Sequence, residues 1–326
     1  MHAMVVREFG KLEPGEITVA DPRDGEVLVD VRASPVNYVD QLVIAGQYQF
    51  LPELPFVPGK GPAGIVAAVG RTVSGLQVGD RVLAMVEQGG YGQQVVADAS
   101  QCYRLPEGLS FTQAASLSLA YDTSWFALRD RARLQPGESV LVLGASGAVG
   151  RASVQLAKAL GARVLGGISR AERGPSVLSA GADALVDLSG ENLRDTLRER
   201  VRQANDGKDV DVVLDPLGGD VFDAAIRTLA WRGRLVVIGF AAGRIPTLKV
   251  NYLLLKNIEV SGLQVSDYRK RRPLQVAQCY AELFDFYAQG RIAPDEVTPY
   301  RWDQAAEALA SLRDRVATGR PVLIHS

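Results

Sequence analysis

Gly144, Gly147 and Gly150 stand in the stretch VLVLGASGAVG, spaced GxxGxxG. Glycine at such spacing allows a tight turn, close approach of backbone N–H groups to a pyrophosphate, and close packing of a helix on a strand. A helix opening there turns its unpaired N–H groups and the positive end of its dipole toward an anion. The chemistry implied is dinucleotide binding, with Gly144, Ser146, Gly147, Ala148 and Val149 against the diphosphate. The spacing departs from GxGxxG, since Ala145 precedes Ser146 and Gly147, and an ordinary strand-to-helix turn is the alternative reading.

About 20 residues beyond the last glycine, an acid would hold the ribose 2′-hydroxyl of NAD. This chain has Ser169 and Arg170 there, with Arg173 one helical turn on. A hydroxyl and two cations favour a 2′-phosphate, hence NADP. The same arginines also suit a solvated helix start partnered by Glu172.

Other chemistries are excluded by what is missing. The two histidines, His2 and His325, lie at the ends of the chain. A Ser-His-Asp hydrolase, a Cys-His protease and a HExxH metalloenzyme all need a histidine within the fold. Ser146 sits in GASGA, which lacks the last glycine of GxSxG. The two cysteines, Cys102 and Cys279, form neither a disulfide framework nor a cysteine-built metal site.

The elements that must position these residues follow from periodicity. Residues 140–143 are a short apolar run suited to a parallel strand with both faces covered. In the helix after the turn, Val149, Ala152, Ser153, Leu156, Ala157 and Leu160 share one face, and Gly161 ends it. Strands are expected at 163–168, 184–188, 211–215, 234–239 and 258–263, with helices at 192–203 and 221–230. Strands alternating with helices predict an α/β fold with a doubly wound, mostly parallel Rossmann sheet. Ligands in such sheets lie beyond the carboxyl ends of the strands, which singles out residues 215–218 and 239–243.

Residues up to about 120 differ, with short alternating stretches broken by glycine and proline, as in a β-rich, barrel-like domain. Val27, Val29 and Val31 alternate with Leu28, Asp30 and Arg32, and further strands are expected at 64–69, 81–86 and 91–97. A helix is expected over 120–137, two amphipathic helices over 273–289 and 303–317, and a closing strand at 321–325.

The chain of 326 residues is long enough for two domains, and 36 basic against 37 acidic residues, net charge −1, suggest neither nucleic acid nor an anionic membrane as partner. The basic run Arg269, Lys270, Arg271 and Arg272 reads as a solvated loop or helix start. No signal segment or long apolar span is seen, so a cytoplasmic protein is expected.

The stretches PVNYVDQLVIAGQY, PFVPGKGPAG, VGDRV, GASGAVG and DPLGG, in that order, resemble the zinc-free quinone oxidoreductase branch of the medium-chain dehydrogenase/reductase superfamily over nearly the whole chain. The resemblance implies a GroES-like catalytic domain at 1–120, completed by 265–326, and an NADP-binding Rossmann domain at 121–264. It also implies a homodimer and a small-molecule substrate. Zinc-dependent members carry a cysteine in the segment matching 36–40 and a histidine-glutamate pair after the glycine matching Gly59. Here stand Asn37 and then Lys60 and Gly61, so no metal is expected.

The strand ends already single out Leu217 and Gly239 as cofactor contacts, and the resemblance adds Thr123, Phe240, Ala241 and Arg320. Thr123 read alone is equally an i−4 bonded helix hydroxyl, Phe240 a core residue and Arg320 a surface residue. With neither zinc nor histidine available, charge developing on a hydride acceptor must meet ordinary donors, and Tyr48, Asn37 and Lys60 are the candidates. Asn37 also suits a turn, Asp40 a helix cap, and Lys60 simple solvation. The expected activity is NADPH-dependent reduction of a quinone or of the activated C=C of an α,β-unsaturated carbonyl compound. The alternative is a catalytically idle NADPH-binding protein with a crystallin-like or RNA-associated role.

Overall fold

The computed structural model describes residues 1–314, 316, 317 and 319–325. It divides into two units: Met1–Leu119, Arg269–Phe284 and Pro294–Ser326 form the first, and Ala120–Tyr268 with Asp285–Ala293 the second.

In the first unit β1 (His2–Glu8) and β2 (Lys11–Glu16) form an antiparallel ribbon. The main sheet is laid around β3 (Glu26–Pro35), whose buried Val27, Val29, Val31 and Ala33 alternate with partly exposed Leu28, Asp30 and Arg32. That alternation is the period of two of a strand with one face on the core. After it come α1 (Tyr38–Ile44), β4 (Ala63–Val69), β5 (Arg81–Ala84), β6 (Gln94–Asp98) and β7 (Cys102–Arg104). β4 pairs with one edge of β3, β5 and β7 continue outward from β4, and β6 takes the first half of the other edge. The strands expected at 81–86 and 91–97 are thus shorter or shifted. Between β5 and β6 the chain turns at Gly89, and Tyr91 bonds through its N–H to Pro58 O (2.9 Å) instead of joining the ladder.

The helix expected from residue 120 is the second part of α2 (Phe111–Trp125), which is broken by a kink at Ser118 (ψ −106°), and it passes into a π-turn, Phe126–Arg131. In the second unit six strands follow: β8 (Ser139–Leu143), β9 (Arg163–Ile168), β10 (Ala184–Asp187), β11 (Val210–Asp215), β12 (Leu229–Val237) and β13 (Glu259–Gly262). They are all parallel, in spatial order β10-β9-β8-β11-β12-β13. This is the doubly wound Rossmann order, and β8 and β11 lie side by side where the strand order reverses.

Helices α3 (Ala148–Ala159), α4 (Gly174–Ser179), α5 (Leu193–Ala204), α6 (Gly219–Ala225), α7 (Asn251–Lys256) and α8 (Val265–Arg271) alternate with these strands or follow them. One core joins Leu141, Val213 and Leu235 of the sheet to Leu197, Val201 and Phe222 of the helices. The helix expected at 221–230 stops at Ala225, because Leu229 already belongs to β12. On α3 the buried face is wider than one stripe, since Val154 and Gln155 are buried too. The Gln155 side chain accepts the Ala293 N–H at 2.8 Å, a partner from the far end of the sequence.

The chain then runs through α9 (Pro273–Ala288), β14 (Val297–Arg301), α10 (Ala305–Arg313) and β15 (Arg320–Ile324). β15 pairs antiparallel with the second half of β3, Val322 opposite Pro35, so the C-terminus completes the first unit's sheet. The helix expected over 303–317 is α10 with a preceding 3₁₀ turn, and its residue 315 lies outside the described residues.

Candidate functional site

In the second unit β8 ends at Leu143 and the chain turns through Gly144 at φ +63°, a left-handed conformation that glycine adopts without strain. Gly147 N–H bonds back to Gly144 O (2.9 Å), and Gly147 is the N-cap of α3. A Cβ on Gly150 would lie 2.2 Å from Gly144 O, so only glycine lets the helix come this close to the turn. The first intrahelical bond runs from Arg151 N–H to Gly147 O (2.8 Å). The N–H groups of Ala148, Val149 and Gly150 precede it and face outward from the helix end. Ser146 is a turn residue there. This cradle fits a diphosphate.

Around it, at the carboxyl ends of neighbouring strands, stand Ser169 and Arg170, both exposed, and Arg173, partly exposed. The loop after β11 is shaped by Asp215, whose Oδ1 accepts the N–H groups of Leu217 (2.8 Å) and Gly218 (2.9 Å). Burial pushes the Asp215 carboxyl up despite those two donors, and its Oδ2 is buried without a hydrogen-bond partner. Asp215 therefore builds the loop, and Leu217 lies over Gly144, its Cδ2 3.1 Å from where a Cβ would be. After β12 come Gly239, Phe240 and Ala241; Phe240 is 42% exposed and is not a core residue. Thr123 is buried, and its hydroxyl donates to Asp122 Oδ1 (3.4 Å), whereas the hydroxyl bonded four residues back is that of Ser124, to Ala120 O (2.8 Å).

In the first unit the polar candidates fall into two groups. Asn37 is the N-cap of α1, and Asp40 is its third residue rather than its cap, accepting the Asn37 N–H at 2.8 Å. The Asn37 amide oxygen accepts a bond from Arg320 (2.6 Å), and Arg320 is buried rather than on the surface. Tyr91, fully buried, donates its hydroxyl to Asp40 Oδ2 (3.0 Å). Burial pushes the Asp40 carboxyl up to about 6, although the Asn37 N–H, the Lys60 charge and the Tyr91 hydroxyl all favour its ionised form. The same burial, with Asp40 beside it, raises the Tyr91 phenol well above its ordinary range.

The second group is built on Lys60, which at 5% exposure is not a solvated side chain. Its ammonium pairs with Glu87 Oε2 and lies 5.8 Å from the centre of the Tyr48 ring. Glu87 Oε1 in turn takes Arg269 (2.7 Å), so the first residue of the basic run is buried, not solvated. The sequence thus placed Tyr48 and Lys60, which the fold brings together. It did not reveal Tyr91, Glu87 or Arg269, because these are drawn in across long separations, 182 residues for Glu87 and Arg269.

Two family models match the chain, an alcohol dehydrogenase GroES-like domain over residues 23–107 and a zinc-binding dehydrogenase over residues 148–283. The chain is 36% identical over 326 residues to a quinone oxidoreductase-like protein 2 homolog of Nematostella vectensis, covering 98% of this chain and 88% of the relative. It belongs to the medium-chain dehydrogenase/reductase superfamily. Within that superfamily it is 34% identical over 313 residues to the mouse quinone oxidoreductase, covering 94% and 92% of the two chains. Its fold matches the quinone oxidoreductase of Escherichia coli solved with NADPH, at a TM-score of 0.90 and 30% identity over the full length of both.

Zinc, which one model's description names, does not suit the residues present. Among the described residues no three of His, Cys, Asp and Glu lie close enough to hold a metal ion. Cys102 is buried in an apolar cluster, and that burial pushes its thiol up to about 12. Tetrahedral zinc needs three or four thiolate, imidazole or carboxylate ligands converging on one point. Among the described residues no helix is long and apolar enough to cross a membrane.

Proposed function

We propose that this chain is an NADPH-dependent, zinc-independent oxidoreductase that reduces a quinone or the activated C=C of an α,β-unsaturated carbonyl compound. The observation that carries the proposal is the Gly144, Gly147 and Gly150 turn at the carboxyl end of β8, next to β11, where the strand order reverses. The NADPH held by the E. coli relative and the names of the N. vectensis and mouse relatives support it. When bound, NADPH supplies the hydride.

The chain's own residues do the rest. N–H groups at the start of α3 take the diphosphate, and Ser169, Arg170 and Arg173 take the 2′-phosphate. Thr123, Leu217, Gly239, Phe240, Ala241 and Arg320 are the further cofactor contacts in this reading, with Asn37 holding Arg320 in place. Lys60 polarises the acceptor oxygen as negative charge grows on it, and Tyr48 donates the proton.

NADPH oxidation by the purified chain, with 1,4-benzoquinone and with an enone, tests the reading. Turnover of either supports it. Tight NADPH binding without turnover would instead indicate the idle, crystallin-like or RNA-associated protein. Absence of affinity for any pyridine nucleotide, or stoichiometric zinc on metal analysis, removes the assignment.

A further inference from the structure

We propose that Glu87 is a positioning residue for this chemistry, its carboxylate bridging Lys60 and Arg269 so that the Lys60 ammonium stays fixed above the Tyr48 ring. The proposal rests on reading Tyr48 and Lys60 as the groups that meet the acceptor. A lysine is almost never this deeply buried unless paired, and its four-carbon stem leaves the charge free to wander unless something holds it.

Two independent features hold it here. The first is the backbone on either side. Gly59 and Gly61 have φ of +99° and +67°. A Cβ on Gly59 would come within 2.3 Å of the Tyr91 ring, and one on Gly61 within 2.9 Å of Ser118. The segment bearing Glu87 is bonded to this stretch on both sides, Gly61 N–H to Val86 O (3.3 Å) and Gly90 N–H to Gly59 O (3.0 Å). Lys60 and Glu87 therefore face each other from two backbones that cannot slide apart.

The second is the bridge itself. One Glu87 oxygen takes Lys60 and the other takes Arg269, an arginine delivered by α8 and itself buried. A planar guanidinium fixes the carboxylate, and the carboxylate then has one orientation to offer the ammonium. Lys60 is also faced by the Tyr48 ring and the Asp40 carboxyl, with Tyr91 and then Arg320 behind Asp40.

The test is Glu87→Gln in the full-length chain, assayed with NADPH and both 1,4-benzoquinone and an enone. The amide keeps the shape and removes the charge. Expected is a fall in kcat of about tenfold or more with both acceptors, as for a misplaced reacting group, with the KM for NADPH unchanged. NADPH affinity, read by nucleotide fluorescence, should stay at the wild-type value. Glu87→Asp, which restores the carboxylate, should recover part of the lost kcat. A wild-type kcat in Glu87→Gln overturns the proposal, as does a loss of NADPH affinity in step with activity. Arg269→Met, which keeps the apolar stem and removes the guanidinium from Glu87 Oε1, should lower kcat by a smaller amount, and it carries the test if Glu87→Gln fails to fold. If the wild type turns over neither substrate, the functional reading itself has failed. The lysine side-chain 15N signals then decide the positioning: a Lys60 resonance sharp in the wild type and broadened in Glu87→Gln supports it, and no difference overturns it.

Discussion

Tyr48 and Lys60 were visible in the sequence as residue types able to meet an oxyanion, but a type is not a placement. Their proximity gives Tyr48 a testable role. Tyr48→Phe should lower kcat on an enone about a hundredfold, the scale of a general acid, and lower it less on benzoquinone, whose reduced oxygens take protons from water. Equal rates on the enone remove tyrosine from proton donation. Asp40 and His325 make opposite pH predictions. The folded chain holds the Asp40 proton more tightly than an unfolded chain, whose carboxyl titrates near 3.8. Asp40 thus stabilises the fold below about pH 4 and withdraws up to about 3 kcal/mol as the pH rises through about 6. His325 is buried with neither ring nitrogen bonded among the described residues, and that burial lowers it to about 4. Its contribution is full above about pH 6.5 and is lost as the pH falls toward 4. Thermal unfolding between pH 4 and 7 should therefore show stability rising more steeply with pH in Asp40→Asn, and falling with pH in His325→Leu, relative to wild type. Parallel curves for all three proteins would contradict both assignments.

At the scale of elements, the β8 turn and α3 were legible because strand, glycines and amphipathic helix are contiguous and each rests on local geometry. Gly150→Ala should raise the NADPH dissociation constant about tenfold or more, since the new Cβ, 2.2 Å from Gly144 O, forces the turn open where the diphosphate would lie. Fluorescence titration measures this, and circular dichroism checks that the fold survives. Affinity at the wild-type value would mean that the turn is structural only. Elements whose ends are set by partners far away were read less well. α6 ends early because Leu229 is claimed by β12, and the segment around Tyr91 leaves its strand because that ring is needed beside Asp40. The basic run at 269–272 reads as surface from composition, yet Glu87 draws its first arginine inside.

At the scale of the whole molecule, one edge of the second unit's sheet is β13, and Ile245, Val250, Leu254 and Leu255, in the stretch of chain leading to it, are strongly exposed. The homodimer that the family resemblance implies would cover such an edge. Sedimentation should show a dimer for the wild type and a monomer for Leu254→Arg with Leu255→Arg; a monomeric wild type removes that expectation. By itself the sequence determined the α/β class, the dinucleotide turn and the residue types available for chemistry, because periodicity and glycine spacing act over a few residues. Only the tertiary structure decided that β15 closes the sheet of β3, that Arg320 rests on Asn37, and that Lys60, Glu87 and Arg269 share one carboxylate. Those pairings span long stretches of chain, and the need to neutralise charge on burial selects the partner only once the backbone has brought the candidates together.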